Sequence, residues 1–296
     1  MARHRPAAAR ARPTSRWQRV WRALVELTRR WQAPVPVPEP LWQEVLARYP
    51  FIAARPASER ERLRGLCQQF LARKEFHGTH GLEITDHMAL CVAAQACLPL
   101  LHWGPGALRW YDDFVGIVIH PDEVVAHREV MDEAGVVHHY DEPLAGEAMA
   151  GGPVMLVWRH VRGHAEDGRL GHSLVIHEFA HKIDMRHKPR HADADGCPRL
   201  PAGFLGLGAR VAHALWANTL QDEYRQFRNA VEMAERFGAE PPWLDAYGAH
   251  SPAEFFAVAC EAYFVNRPRF EAEFPRLARL FDGFFQPPPL TGAATP

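Results

Sequence analysis

Two histidines and a glutamate stand at a spacing that suits metal-assisted hydrolysis. His177, Glu178 and His181 form an HExxH pattern that directly follows the apolar run 174–176. Four residues are close to one helical turn of about 3.6 residues, so both imidazoles lie on one helix face and can bind one zinc ion. Glu178 lies about 100° further round the helix, where it can take a proton from a zinc-bound water. Since the metal lowers the pKa of that water, the pattern predicts hydrolysis of a polarised carbonyl.

The same pattern also arises by chance, because histidine, glutamate and alanine all suit an ordinary helix. The context here favours a metal site. The run 174–176, with Phe179 and Ile183, predicts a helix over about 172–184 that buries an apolar face in the core. Histidines and carboxylates on a buried helix are costly unless they are paired or bound to a metal.

A catalytic zinc ion usually has three protein ligands, so a third ligand must come from elsewhere in the chain. His187 is one candidate, because HEFAHKIDMRH has the HExxHxxGxxH spacing of the metzincin peptidases, with Asp184 in place of their glycine. That glycine lets the helix end and the chain turn toward the metal. Aspartate adopts the required left-handed conformation less readily than glycine.

Glu254 and Glu261 are the other candidates, on a second predicted helix over 252–265. Ser251 is a natural N-cap residue, and Pro252 suits the first helical position. The two carboxylates share a helix face but lie about 10 Å apart along its axis, so only one of them can touch the metal directly. Glu254 has a further interpretation, since Ser251 and Glu254 also form a capping box. The spacing leaves the choice between the two glutamates open.

Several segments taken together resemble a known family. The motif segments are 175–184, 247–248 and 253–258, and the supporting segments are 70–76, 81–86, 93–101 and 151–154. Over roughly residues 40–288 the chain resembles the Mlc titration factor A family of bacterial zinc peptidases. The step of seven residues from Tyr247 to Glu254 is also similar to that in the protease domain of anthrax lethal factor.

This resemblance implies one zinc ion per chain, bound by His177, His181 and Glu254. It also implies that Glu178 is the general base and that Tyr247 donates a hydrogen bond to the oxyanion. A neutral phenol suits that role, because it stabilises the charge that develops in the transition state. The implied activity is that of a gluzincin-type metallopeptidase, aminopeptidase-like toward short substrates.

The surroundings of the metal are predicted less closely. Metal-bound histidines normally donate their second N–H to a carboxylate or a carbonyl. Glu261 lies on a stripe that should be buried and is predicted to accept such a bond, whereas Asp184 is either a second acceptor or a solvated charge at the helix end. The following loop is longer and richer in histidine than the resemblance implies, which leaves His187 and His191 able to bind adventitious metal.

The resemblance also implies a contrasting class of function. The family takes its name from a founding member that sequesters a sugar-responsive transcriptional repressor. On this alternative the chain is a regulatory binding protein, and the zinc site is secondary. The expected partner is therefore a peptide or protein substrate, with a transcriptional repressor protein as the alternative.

Composition and charge exclude other classes. The net charge of −1 argues against a nucleic-acid partner. The most apolar helix candidate, 86–103, is too short and too interrupted to span a bilayer, and no secretory signal is expected at the N-terminus. The five cysteines are odd in number and form no CxxC pair, which predicts a reducing, cytoplasmic compartment.

The N-terminal segment differs from the rest of the chain, with nine arginines in residues 1–31 followed by a proline-rich linker. Residues 16–31 have apolar residues at near-helical spacing. This spacing fits either a helix packed on the protein's own core or an amphipathic helix for an anionic surface. The predicted divisions are a basic segment (1–38), a single compact domain (39–290) with an N-terminal half (39–150) and a catalytic half (151–290), and a tail (291–296).

The order of helical and strand patterns predicts a predominantly helical α+β fold of the zincin-like type, with the HExxH helix beside a small mixed sheet. Helices are predicted near 41–48, 57–74 and 86–102, followed by a long helix through Trp216 and Phe227, and strands at 114–120, near 136–140 and at 154–161. In zincin-type peptidases the strand beside the active helix can pair its free edge with an extended peptide. We expect Val154–Val161 to be that strand.

Overall fold

The computed structural model describes most of the chain beyond its N-terminal segment. The described residues are 34–122, 124–131, 137–144, 146–163, 171–189 and 193–287, of which 124–131 and 137–144 are described by their backbone alone. Residues 1–33 of the predicted basic segment (1–38) thus lie outside the described residues. His191 and the predicted tail, 291–296, also lie outside them.

Helices dominate the described chain, and the predicted α+β class is confirmed. The α-helices are α1 (Glu39–Arg48), α2 (Pro50–Ala53), α3 (Ala57–Leu71), α4 (Asp86–Cys97), α5 (Trp158–Gly163), α6 (Leu174–Met185), α7 (Ala209–Phe237), α8 (Pro252–Val265), α9 (Arg267–Glu273) and α10 (Pro275–Phe285). Short 3₁₀ helices cover Leu98–Leu100, Ala107–Tyr111, Phe204–Gly206 and Ala246–Ala249. The HExxH helix is α6, and the helix predicted over 252–265 is α8.

A four-stranded mixed sheet lies beside the HExxH helix. Its strands are β1 (Glu75–Gly78), β2 (Gly116–His120), β5 (Gly146–Ala148) and β6 (Val154–Val157), in the order β1-β2-β6-β5. β1, β2 and β6 run parallel, whereas β5 pairs antiparallel with β6 at one edge of the sheet. β3 (Val124–Met131) and β4 (Val137–Leu144) form a separate antiparallel pair. Because α6 packs against β5 and β6, these two strands border the motif.

The predicted strand Val154–Val161 is wrong in two respects. The strand ends at Val157, and the chain continues as a helix over Trp158–Gly163. It is also not the free edge, because β5 pairs with its outer side. β5 consists of glycine, glutamate and alanine, which are poor strand formers, so only its pairing with a distant segment makes it a strand. The edge beside the motif therefore belongs to Gly146–Ala148.

A hydrophobic cluster of buried side chains extends from Val37 to Phe285 and surrounds both site helices. The long helix α7 contributes Trp216, whose ring stacks on Phe281 of α10 and contacts Phe256 of α8. This packing fixes α8 against the rest of the core.

Two further predictions concern the helices and the cysteines. In the described part of the chain, no helix combines the length and the apolar character needed to cross a bilayer. All five cysteines are free thiols, and Cys91, Cys97 and Cys260 are buried in the core.

Candidate metal centre

The HExxH helix begins at a cap that ties it to a neighbouring helix. The Ser173 hydroxyl oxygen accepts a hydrogen bond from the backbone N–H of Ile176 (3.2 Å), which is the usual way to satisfy a free N–H at a helix start. The same hydroxyl donates to the side-chain oxygen of Gln95 (2.8 Å), a buried residue of α4. The start of α6 is therefore fixed both by its own cap and by a hydrogen bond to α4.

Three side-chain atoms converge where α6 meets the start of α8. His177 Nε2 lies 3.0 Å from Glu254 Oε2, His181 Nε2 lies 3.2 Å from the same oxygen, and the two imidazole nitrogens are 3.2 Å apart. Among the described residues, this is the group of three histidine, cysteine or acidic side chains whose ligand atoms could hold one metal ion. Two helices far apart in sequence thus supply one cluster.

The chemistry of the three atoms fits a metal ion. When both imidazole nitrogens are deprotonated, each of the three atoms points a lone pair at the others, and a cation between them removes that repulsion. Ligands about 2.0–2.1 Å from a tetrahedral zinc ion are separated by about 3.3 Å, which is close to the three distances observed. Two imidazoles and one carboxylate form a common donor set of catalytic zinc sites that leaves a position for water.

Glu261 lies behind His177 rather than in the cluster. Its Oε1 lies 2.8 Å from His177 Nδ1, and its Oε2 accepts a hydrogen bond from the backbone N–H of Ser173 (2.5 Å). An imidazole that donates from Nδ1 to this carboxylate keeps Nε2 free to bind a metal. The two glutamates of α8 therefore have separate contacts, with Glu254 among the ligand atoms and Glu261 orienting one imidazole.

Glu254 also makes only one half of the expected capping box. Its backbone N–H donates to the Ser251 hydroxyl oxygen (3.1 Å), so Ser251 caps α8 as predicted. The Glu254 side chain instead extends to the two histidines. The cap therefore survives any replacement of the Glu254 carboxylate.

Asp184 serves the loop that follows the motif. One carboxylate oxygen accepts backbone N–H groups of Asp195 (2.9 Å) and Gly196 (2.7 Å), and the other pairs with Lys188 (2.6 Å). Gly196 is packed so closely that an added Cβ would lie 2.8 Å from the carbonyl oxygen of Pro252, at the start of α8. Asp184 thus anchors a loop that contacts the helix carrying Glu254.

His187 is not among the clustered ligand atoms. Its ring packs edge-on against Trp110, with the ring centroids 5.2 Å apart. The reason lies in the backbone, since α6 remains helical through Asp184 to Met185 where a glycine would have turned the chain toward the metal. The structure therefore brings Glu254, and not His187, to the two motif histidines.

Tyr247 lies beside the cluster in the 3₁₀ helix Ala246–Ala249. The Asp245 carboxylate accepts its backbone N–H (2.9 Å) and so starts this helix. The Tyr247 and His177 ring centroids are 6.0 Å apart, and 40% of the tyrosine is exposed. A phenol in this position borders the cluster and remains accessible to a ligand.

The electrostatics of the site follow from burial and from close pairs. Burial raises the pKa of the Glu178 carboxyl to about 7, although the neighbouring histidines oppose this shift. Burial acts in the same direction on Glu254, but its hydrogen bonds to His177 and His181 outweigh it and hold the pKa of that carboxyl below its usual range. For His177, burial lowers the pKa, yet the bonds to Glu254 and Glu261 raise it overall.

Gly146 of β5 is a site residue that the sequence does not indicate. A Cβ placed there would lie 2.5 Å from Glu178 Oε1 and 2.9 Å from the next two carbons of that side chain. Only glycine lets the edge strand approach the Glu178 carboxylate so closely. No local pattern reveals this contact, because it depends on the pairing of β5 with β6.

Comparison with known proteins identifies relatives of this chain. A Mlc titration factor A from Edwardsiella ictaluri (strain 93-146) is 34% identical over 250 residues, covering 84% of this chain and 88% of that protein. One from Klebsiella pneumoniae (strain 342) is 33% identical over 249 residues, covering 84% and 86%. The model of the family described as glucose-regulated metallo-peptidase M90 matches residues 18–286. Since that match includes nearly all of the described residues, the chain belongs to the glucose-regulated metallo-peptidase M90 family.

Proposed function

We propose that this protein is a zinc-dependent peptidase of the gluzincin type. The observation that carries the proposal is the convergence of His177 Nε2, His181 Nε2 and Glu254 Oε2 within 3.0–3.2 Å of one another. Membership of a metallopeptidase family supports it, since the cluster includes both histidines of the HExxH motif. Zinc is the metal that this donor set suits best.

When bound, zinc would polarise the scissile carbonyl and lower the pKa of an attacking water. Glu178 is outside the three-atom cluster and its carboxylate borders the edge strand, which suits a base that removes the proton of that water. Tyr247, on the accessible side of His177, would donate a hydrogen bond to the oxyanion of the tetrahedral intermediate. Glu261 would hold the His177 imidazole in the orientation that presents Nε2.

The substrate would bind along β5, in place of the predicted strand Val154–Val161. The strand Gly146–Ala148 forms an edge of the four-stranded sheet, and Gly146 touches the Glu178 side chain. A peptide that pairs with this edge has its backbone carbonyls beside the proposed base. The family resemblance favours short substrates cleaved from the amino end.

A second candidate function is binding of a transcriptional repressor. It is favoured by the name of the relatives, Mlc titration factor A, which refers to a factor that titrates Mlc. On this alternative the metal site is secondary to a docking surface, and peptide cleavage is not the function of the protein. Cleavage of a broad peptide library therefore separates the two candidates.

Removal of the metal should abolish peptide cleavage. We expect the purified protein to contain zinc. A chelator such as dipicolinic acid should remove the zinc and abolish cleavage of a peptide library, because the imidazole and carboxylate ligands cannot replace the positive charge of the metal. Added Zn²⁺ should restore cleavage. Mass spectrometry measures both the cleaved peptides and the metal content. Full cleavage by the metal-free protein would refute the zinc peptidase proposal. A zinc-loaded protein that cleaves no library peptide would favour the binding candidate.

Replacing Gly146 with alanine should impair catalysis without releasing the metal. The new Cβ would stand 2.5 Å from Glu178 Oε1, so either the carboxylate or β5 must move. A displacement of about 1 Å at a reacting group costs up to about 100-fold in rate. Gly116→Ala in β2 is the matched control, because a Cβ there meets Pro153 Cβ at an ordinary 3.5 Å. Equal kcat values for the two variants would show that Gly146 has no special role.

A further inference from the structure

The residue after the second motif histidine is a fully buried lysine. Lys182 has no exposed surface, and its ammonium nitrogen lies 2.8 Å from the carbonyl oxygen of Met149 and 3.1 Å from that of Gly152. The third partner is Asp113 Oδ2, at 3.2 Å. An ammonium group has three protons to donate, and these three acceptors account for all of them.

Two of the three acceptors belong to one tight turn. Met149 and Gly152 begin and end a four-residue turn within the connection from β5 to β6, and the Gly152 N–H donates to the Met149 carbonyl oxygen (3.0 Å) across that turn. Gly151 within the turn has a φ of 66°, which favours glycine. Lys182 therefore binds the HExxH helix to the end of the edge strand.

The other end of the same strand meets the proposed base. β5 is only three residues long, and its first residue, Gly146, touches the Glu178 side chain. Lys182 lies four residues after Glu178, one turn further along α6. Side chains of a single helix therefore contact the strand at its first residue and bind the turn that follows its last.

A buried ammonium is a costly way to fill space. Methionine has a similar shape and would avoid the desolvation cost, so simple packing does not account for a lysine here. The lysine supplies something that methionine lacks, namely directed bonds to two backbone carbonyls of the turn. A strand of three residues has few contacts of its own to fix its position.

We propose that Lys182 is a positioning residue that fixes the edge strand Gly146–Ala148 relative to Glu178 and thereby favours extended peptide substrates over single-residue substrates. The inference rests on the proposed peptidase function. A peptide of several residues depends on the position of the whole strand. A substrate with a single amino acid residue has too short a backbone to pair along the strand, so its binding depends little on the position of the strand.

Lys74 provides a matched control. Its ammonium nitrogen lies 3.8 Å from the centroid of the Phe114 ring, and that of Lys182 lies 4.4 Å from the same centroid. Lys74 donates to the carbonyl oxygens of Tyr111 (2.5 Å) and Phe114 (2.6 Å), which lie outside the β5–β6 turn. Lys74→Met thus removes a neighbouring, partly buried ammonium without releasing the turn.

The first measurement compares two substrates. We expect Lys182→Met to lower kcat/KM for an octapeptide with a free amino end about tenfold more than kcat/KM for an aminoacyl nitroanilide. The loss should arise mainly through KM, with zinc content unchanged. Lys74→Met should change both substrates by the same factor. Equal losses for the two substrates in Lys182→Met would overturn the inference.

The second measurement does not require activity. Amide hydrogen exchange over residues 146–152 should be about tenfold faster or more in Lys182→Met, and unchanged in Lys74→Met. Unchanged exchange in Lys182→Met would also overturn the inference. If the wild-type protein cleaves neither substrate, the proposed function fails and the exchange rates alone decide the role of Lys182.

Loss of the lysine removes the close ion pair of Asp113, which destabilises the protein for a reason unrelated to β5. Lys182→Met combined with Asp113→Asn removes that carboxylate charge but does not restore the bonds to the turn. The double variant should therefore regain thermal stability while keeping the fast exchange and the substrate selectivity of Lys182→Met. Recovery of wild-type exchange in the double variant would contradict a role in positioning β5.

Discussion

Replacing Glu178 with glutamine is expected to lower kcat for peptide cleavage by about 10²–10⁴-fold, the usual contribution of a general acid or base. The amide has the same shape as the carboxylate but cannot accept the proton of the attacking water. Zinc should remain bound, because the clustered ligand atoms belong to His177, His181 and Glu254. Steady-state kinetics together with metal content test both parts of this expectation.

Glu223→Gln is the control for this experiment. Glu223 is a glutamate of α7 that pairs with Arg276 (3.6 Å), and its side chain is only 12% exposed. It should leave kcat and zinc content unchanged, because it belongs to neither the cluster nor β5. A Glu178→Gln protein that cleaves peptides at the wild-type rate would remove Glu178 from the mechanism.

Replacing Glu254 with alanine is expected to reduce zinc affinity by more than about 100-fold. Loss of a residue that only hydrogen-bonds to a metal ligand typically costs about 10–100-fold, and a direct ligand should cost more. The variant removes one of three converging ligand atoms, and the two remaining imidazoles provide no negative charge for the metal. The helix should persist, since Ser251 caps α8 through the backbone N–H of residue 254. Competition with a zinc indicator measures the change.

His187→Ala is the matched comparison, because it tests the ligand set that the metzincin spacing suggests. His187 packs on Trp110, and its loss should leave zinc affinity within about threefold of the wild type, a typical size for changes remote from a site. The opposite outcome, with affinity lost in His187→Ala and kept in Glu254→Ala, would assign the third ligand to His187. The proposed gluzincin arrangement would then be wrong.

The proximity of the two imidazoles was open to prediction from sequence, because it depends only on the helical period. His177 and His181 share a face of any α-helix, and the apolar residues around them indicate that this helix is buried. The cap at Ser251 and the bounds of α8 are equally local, since they follow from residue types at adjacent positions. Local chemistry therefore determined the two helices and the kind of side chain that each presents.

The tertiary structure decided which of these side chains meet. Glu254 and Glu261 share a face of α8, and only the packing of α8 against α6 places Glu254 Oε2 at both imidazoles and Glu261 behind one of them. The edge strand is a stronger case, because Gly146 and Lys182 acquire their contacts from the pairing of β5 with β6. Contacts between segments far apart in sequence depend on the summed packing of the whole core, which no short pattern of residues encodes.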